Sequence, residues 1–272
     1  MKFSLGTRLI APPAVLLTAA LLTLPLCAQD PKQIVAKAVQ TELDADRNDH
    51  TAFEYRDHDI TPDHDTTYLI VQVPHGSLKR KLEDHGHPLT AEENQAEDAR
   101  IKAYVNDKAL QEKQRKDSVN DDAQAERLLK LLPVAFIWTV RTTTAGETTL
   151  DFRPDPNFSP PSLEAKVLAA MTGEIVVTHP AERIKSIRGR LMNDVKFGYG
   201  ILGRLRAGGT FDVERREIAP GHWQITDSHI HFDGKALFFK TIGEQEDETE
   251  TDFRVSRAAN LQQAYDILEN VH

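Results

Sequence analysis

Between Arg183 and Gly243 apolar and polar residues alternate with a period of two, and glycine or proline interrupts the alternation repeatedly. Ile187, Leu191, Val195 and Phe197 interleave with Arg188, Arg190, Asp194 and Lys196, the signature of a half-buried antiparallel strand. Gly208-Gly209, Pro220-Gly221 and Asp233-Gly234 then separate runs at 210–218, 222–232 and 235–242. Asp-Gly is a strong two-residue hairpin signal. The pattern predicts a meander of neighbouring antiparallel strands.

The rest of the chain mixes both periods. Ile34, Val35, Ala38, Val39 and Leu43 recur at helical spacing behind Pro31, predicting a short amphipathic helix over 31–43. Phe53 and Tyr55 alternate with Glu54 and Arg56, and Tyr68 to Val73 is a β-rich run ended by Pro74-His75-Gly76, so a strand pair is expected with a polar turn over 57–65. Thr90 and Glu93 form a capping box that opens a helical insert over 89–132. Residues 106–122 carry almost no apolar stripe, which predicts two helices with a solvated middle. The second would start at Ser118 or Asn120, bury Leu128, Leu129 and Leu132, and stop at Pro133. Strands follow at 135–142 and 148–152. Pro154, Pro156, Pro160 and Pro161 mark a surface crossing into a short helix over 162–171, and 173–178 resumes the sheet. Residues 244–252 read as a charged loop before a last helix, capped by Ser256, with Leu261, Ala264, Tyr265 and Leu268 on one face.

Composition sets the compartment. Lys2 and Arg8 precede an apolar run from Ala14 to Leu26, and Ala28 supplies a small residue at a cleavage point, so 1–28 reads as a signal peptide and the mature chain as periplasmic or secreted. An uncleaved anchor is the alternative, but the run falls short of the ~20 residues a span needs and contains Pro25. After cleavage the chain is not expected to be an integral membrane protein. A lipoprotein signal would need a small residue before Cys27, where Leu26 stands. Cys27 is the only cysteine, so the mature chain has no disulfide and its stability must come from its core. Loss of Lys2 and Arg8 moves the formal charge from -9 to -11, and nucleic acid is excluded as an expected partner because phosphate binding needs a clustered basic face. The remaining length suits one domain over 29–255, carrying the insert at 89–132, with a helical extension over 256–272.

Asp151-Phe152-Arg153-Pro154, the run from Gly189 through Leu205, Gly208-Gly209-Thr210-Phe211 and Asp252-Phe253-Arg254 resemble a group of uncharacterised secreted bacterial proteins. That group is similar in layout to the LolA/LolB-like superfamily of periplasmic lipoprotein carriers. The resemblance implies an α+β fold in which a curved antiparallel sheet, an incomplete β-barrel, is covered by helices. It also implies an apolar concave face for a lipid, a lipoprotein acyl chain or another hydrophobic ligand. Phe53, Tyr55, Ile187, Leu191, Val195, Phe197, Phe211, Val213, Trp223 and Ile225 are the candidates for that face. A filled core needs the same alternation. The insert at 89–132 and the extension at 256–272 exceed what a compact carrier needs, and either could fill the cavity.

Catalytic chemistry has little foothold. No serine sits in a Gly-x-Ser-x-Gly elbow, and Gly198, Gly200 and Gly203 are spaced too loosely for a nucleotide loop; they suit a kinked or bulged strand. Six histidines fall between His50 and His87, and Asp57-His58-Asp59 is echoed by Asp63-His64-Asp65, but the spacing matches no metal motif. His229 and His231 stand two apart on a strand and share a face, an arrangement that could bind zinc or supply a base but better suits the solvated side of a strand. Arg188, Arg190, Arg204 and Arg206 form a basic stripe suited to lipid head groups or an acidic partner, or to an outward strand face. No catalytic residue, metal or cofactor is assigned. A binding module for a lipid-like ligand and an envelope structural or interaction protein with a filled barrel are the two function classes left, with a hydrolase a distant third.

Overall fold

A computed structural model describes residues 29–197, 203–236 and 245–271. The signal-peptide reading of 1–28, Gly198, Gly200 and the 237–242 end of the last expected strand of the meander lie outside the described residues. Pro31–Asn48 forms α1, which begins at Pro31 behind the Asp30 side chain and buries Ile34, Val35, Ala38, Val39 and Leu43. Phe53–Ile60 (β1) and Asp65–Val73 (β2) pair in register, so Asp57, His58 and Asp59 belong to a strand and the polar turn shrinks to 61–64. Gly76–Asp84 (β3) and His87–Pro88 (β4) follow.

The capping box at Thr90 opens α2, Ala91–Asn106, and α3 runs over Lys108–Ala135. The second helix therefore starts well before Ser118. Asp107 supplies the reason, because its carboxylate accepts from the N–H groups of Ala109 and Leu110 and caps the new helix. Pairs such as Arg115 with Glu112 and Lys113 with Asp117 line its exposed first half, where no apolar stripe is needed. Pro133 sits in the last turn, and the helix ends two residues later. Phe136–Thr143 (β5), Glu147–Pro154 (β6), the Ser162-capped Leu163–Leu168 (α4), Met171–Thr178 (β7) and Ile184–Leu191 (β8) complete this half.

The meander is partly re-routed. The expected single strand through Phe197 splits into β8 and Val195–Phe197 (β9), which pairs with Gly203–Leu205 (β10) in a separate sheet. Thr210–Ala219 (β11) and His222–His231 (β12) form a hairpin as expected. Asp233-Gly234 makes none: Gly234–Ala236 (β13) pairs with β10, while the other edge of β12 is taken by Gln245–Val255 (β14). The charged stretch over 244–252 is thus mostly strand, not loop. Leu261–Leu268 (α5) is capped by Asn260 rather than Ser256.

The main sheet is antiparallel, curved and unclosed, with eleven strands in the order β4-β3-β2-β1-β14-β12-β11-β8-β7-β6-β5, beside the three-stranded β13-β10-β9. Residues paired in register share a face. One row therefore crosses the sheet through Leu150, Ile175, Ile187, Val213, Ser228, Glu248, Asp59 and Thr66. At its β5–β8 end this face buries Leu150, Ile175 and Phe152 under α1 and the end of α3. At the opposite end the other face is buried, where Leu69, Val71 and Leu78 pack on Ile101 of α2 and on Ala264 and Leu268 of α5. The two cores thus lie on opposite sides of one sheet. Helices lie chiefly against its outer strands, and β1, β14, β12 and β11 form a thinly covered centre. Among the described residues no helix is long and apolar enough to cross a membrane.

Candidate functional site

The ten candidate ligand residues separate into groups. Leu191, Val195 and Phe197, only 1%, 8% and 1% exposed, are sealed in the core with Val35 and Ala38 of α1. Phe53 is likewise buried and meets His222 and Phe253 edge-on, while Tyr55 stacks on Phe253 with ring centres 5.1 Å apart. The Arg183 guanidinium lies 5.7 Å from the Trp223 ring, and Ile225, beside a β-bulge, is 41% exposed. Only Ile187, Phe211 and Val213 form a half-buried strip in the sheet centre, joined by Ile230, which the sequence reading did not select. Phe211 lies so close over Gly189 that a Cβ there would stand 2.3 Å from its ring.

Directly beyond this strip the same face turns acidic. Glu246, Glu248 and Glu250 of β14 share it with Asp57 and Asp59 of β1, and Asp57 stands opposite Glu250 and Asp59 opposite Glu248. Like charges paired across strands repel. The side chains of Asp57, Glu248 and Glu250 form no hydrogen bond or ion pair among the described residues. Asp57 is 6% exposed, and its Oδ1 and that of Asp59 are buried without a hydrogen-bond partner. The second Asp59 oxygen lies 2.8 Å from His64 Nε2.

Protonation follows from this crowding. Burial, then the charge of Asp59, pushes Asp57 up to about 6. Burial, then the charge of Asp57, lifts Glu248 to about 7, and burial with Glu248 and Asp57 lifts Glu250 to about 8. Burial and the neighbouring Glu250 and Asp57 also push the Tyr55 phenol up. The cations acting against this are Lys79, whose Nζ stands 4.4 Å from the Tyr68 ring centre, and His58 when protonated.

Glu42 of α1 is a buried carboxylate of the opposite kind. It accepts from Arg183 Nε and Nη2 at 3.1 and 2.8 Å and from the Ile184 N–H at 2.7 Å, and it also pairs with Arg215. Burial alone would raise its pKa, but the Arg183 hydrogen bonds and the Arg215 charge outweigh burial and hold it below the usual carboxylate range.

Several histidines are tied to carboxylates, two of them to the same one. His58 lies 2.8 Å from Asp65, His222 2.7 Å from Asp49, and His229 and His231 lie 2.6 and 2.9 Å from one Asp247 oxygen on the face opposite the acidic row. Among the described residues no three His, Cys, Asp or Glu side chains converge as a metal site. The basic stripe is largely neutralised: Arg188 binds Asp212, Arg204 binds Asp194 and Arg206 binds Asp233. Arg188 and Arg190 border an open groove of about 720 Å³ on that opposite face.

Comparison with protein families, curated proteins and solved structures finds no match to this chain. The sequence does not announce the acidic row, because its acids fall in stretches, 57–65 and 244–252, whose polarity predicts a turn and a loop. A signal was present: Glu246, Glu248 and Glu250 alternate with Asp247, Thr249 and Thr251 and lead into Phe253 and Val255, a period of two written in polar residues.

Proposed function

We propose that the protein is a non-catalytic binding protein of the periplasm or cell exterior, LolA/LolB-like in layout, that holds a lipid-like ligand against the α1-bearing face of its sheet. The observation that carries this reading is the half-buried strip of Ile187, Phe211, Val213 and Ile230, where the apolar face runs out from under α1 into the thinly covered centre. A half-buried apolar strip beside polar groups that fix orientation is what a site for an amphiphile requires. Native mass spectrometry of the mature protein, followed by organic extraction, tests it. Stoichiometric lipid, or uptake of dodecan-1-ol that Val213→Arg abolishes without unfolding, is the expected result. An empty protein that takes up neither dodecan-1-ol nor a fluorescent fatty acid overturns it.

The second reading is an envelope interaction protein with a filled core. It is favoured by the sealing of Leu191, Val195 and Phe197 beneath α1. Its mark would be Phe197→Arg: outright unfolding assigns Phe197 to the core alone, whereas a folded variant that loses only ligand uptake would return it to the binding face.

A further inference from the structure

We propose that the row of Asp57, Asp59, Glu248 and Glu250 is the head-group subsite of this face and takes a cationic amine or quaternary ammonium. The proposal rests on reading the adjoining strip as the seat of an apolar tail.

Four observations converge on it. First, the carboxylates stand opposite one another across β1 and β14, and of the four only Asp59 has a hydrogen-bonded partner among the described residues, His64, an arrangement that costs folding free energy. Second, Asp57 is more than nine-tenths buried with Oδ1 unpartnered, and its side chain shares the face of the row. A buried acceptor of this kind gains most from a donor brought by a ligand. Third, aromatic rings flank the acids. Tyr68 is in register with Asp57, Tyr55 precedes Asp57 on the same face, and Phe253 stacks on Tyr55. Tyr68 already carries an ammonium, that of Lys79, over its ring, so a cation is compatible with this geometry. Fourth, the row continues the apolar strip without a break, since Glu248 pairs with Ser228, which pairs with Val213, and Glu246 pairs with Ile230, which pairs with Phe211. A ligand lying across the strands would place its tail on Val213, Phe211 and Ile187 and its charge among the carboxylates. The lack of a converging metal-ligand set among the described residues favours a bulky organic cation over a bare metal ion.

Titration calorimetry with three probes of equal chain length, used below their aggregation concentrations, tests this: dodecyltrimethylammonium, dodecan-1-ol and dodecanoate. The ammonium should bind at least about tenfold more tightly than the alcohol, the scale expected of charge-assisted contacts, and dodecanoate most weakly. Asp57→Asn with Glu250→Gln should bring ammonium and alcohol to within about threefold of each other. Alcohol binding with no ammonium preference would overturn the head-group subsite and leave the lipid-binding reading standing, as would a preference that survives the double substitution. Binding of none of the three would overturn both.

Discussion

Glu42 and the Asp57–Glu250 row are two ways of burying carboxylates on one face of one sheet. Glu42 is met by two arginines and a backbone N–H, so its negative charge is stabilised where it stands. Asp57, Glu248 and Glu250 meet chiefly each other, so their protons are held instead. The first arrangement ties α1 to β8 and β11 and reads as structural. The second makes no comparable tie, and a group whose burial costs stability without an internal partner points to a role outside the fold.

Breaking the first site should have the largest effect. Glu42→Ala leaves Arg183 and Arg215 facing each other without their shared anion, and a loss of roughly 3–5 kcal/mol is expected in urea unfolding. A loss under about 1 kcal/mol would mean that the arginines find water and the tie is weak. Gly189→Ala comes next. The added methyl group must displace the Phe211 ring, costing about 1–3 kcal/mol and disturbing the apolar strip before the acidic row.

The pH dependence sharpens the contrast, because the two sites carry opposite signs. In the row the folded pKa values lie above the unfolded ones, so the folded state binds more protons and stability falls as pH rises from about 4 to about 8. Glu42 has a lowered folded pKa, so its contribution is present above about 4.5 and is lost as pH falls through the folded value. Asp57→Asn with Glu250→Gln should therefore stabilise the protein at pH about 8.5, by on the order of 1 kcal/mol or more, and change little at pH about 4. Equal effects at both pH values would show that packing rather than charge is being altered. The smallest effect is expected of Lys79→Gln, which removes the cation beside the row: less than about 1 kcal/mol of destabilisation near pH 8.5 and none near pH 4.

Much of the fold was legible because its signals are local. The Pro31 start of α1, the Thr90–Glu93 capping box and the strands around Leu150 and Ile175 depend on nearby residues, and the structure keeps each of them. The hairpin expected at Asp233-Gly234 failed because a turn signal only brings its flanks together, and β14 competes for the edge of β12. The start of α3 at Asp107 was hidden because an aspartate is as common in a loop as at a helix start, and the residues after it carry no apolar stripe. The site was the least legible part. Its apolar strip reads like core, and its acids read like a solvated loop, since no amphipathic pattern announces a strand whose face carries glutamates. Which face each core occupies was also hidden, because period-two alternation does not say which side a helix will cover.

The pairing of β1 with β14 has a consequence for how the chain is made. Residues 53–60 and 247–255 lie at opposite ends of the described sequence, yet β14 is the strand that joins β1–β4 to the rest of the sheet. During synthesis the early strands must wait until residues 247–255 have been made before their partner arrives, leaving β1 with an unsatisfied edge throughout that interval. A strand so late and so acidic would also keep that waiting edge from recruiting another chain once it docks, so assembly ends by installing its own guard.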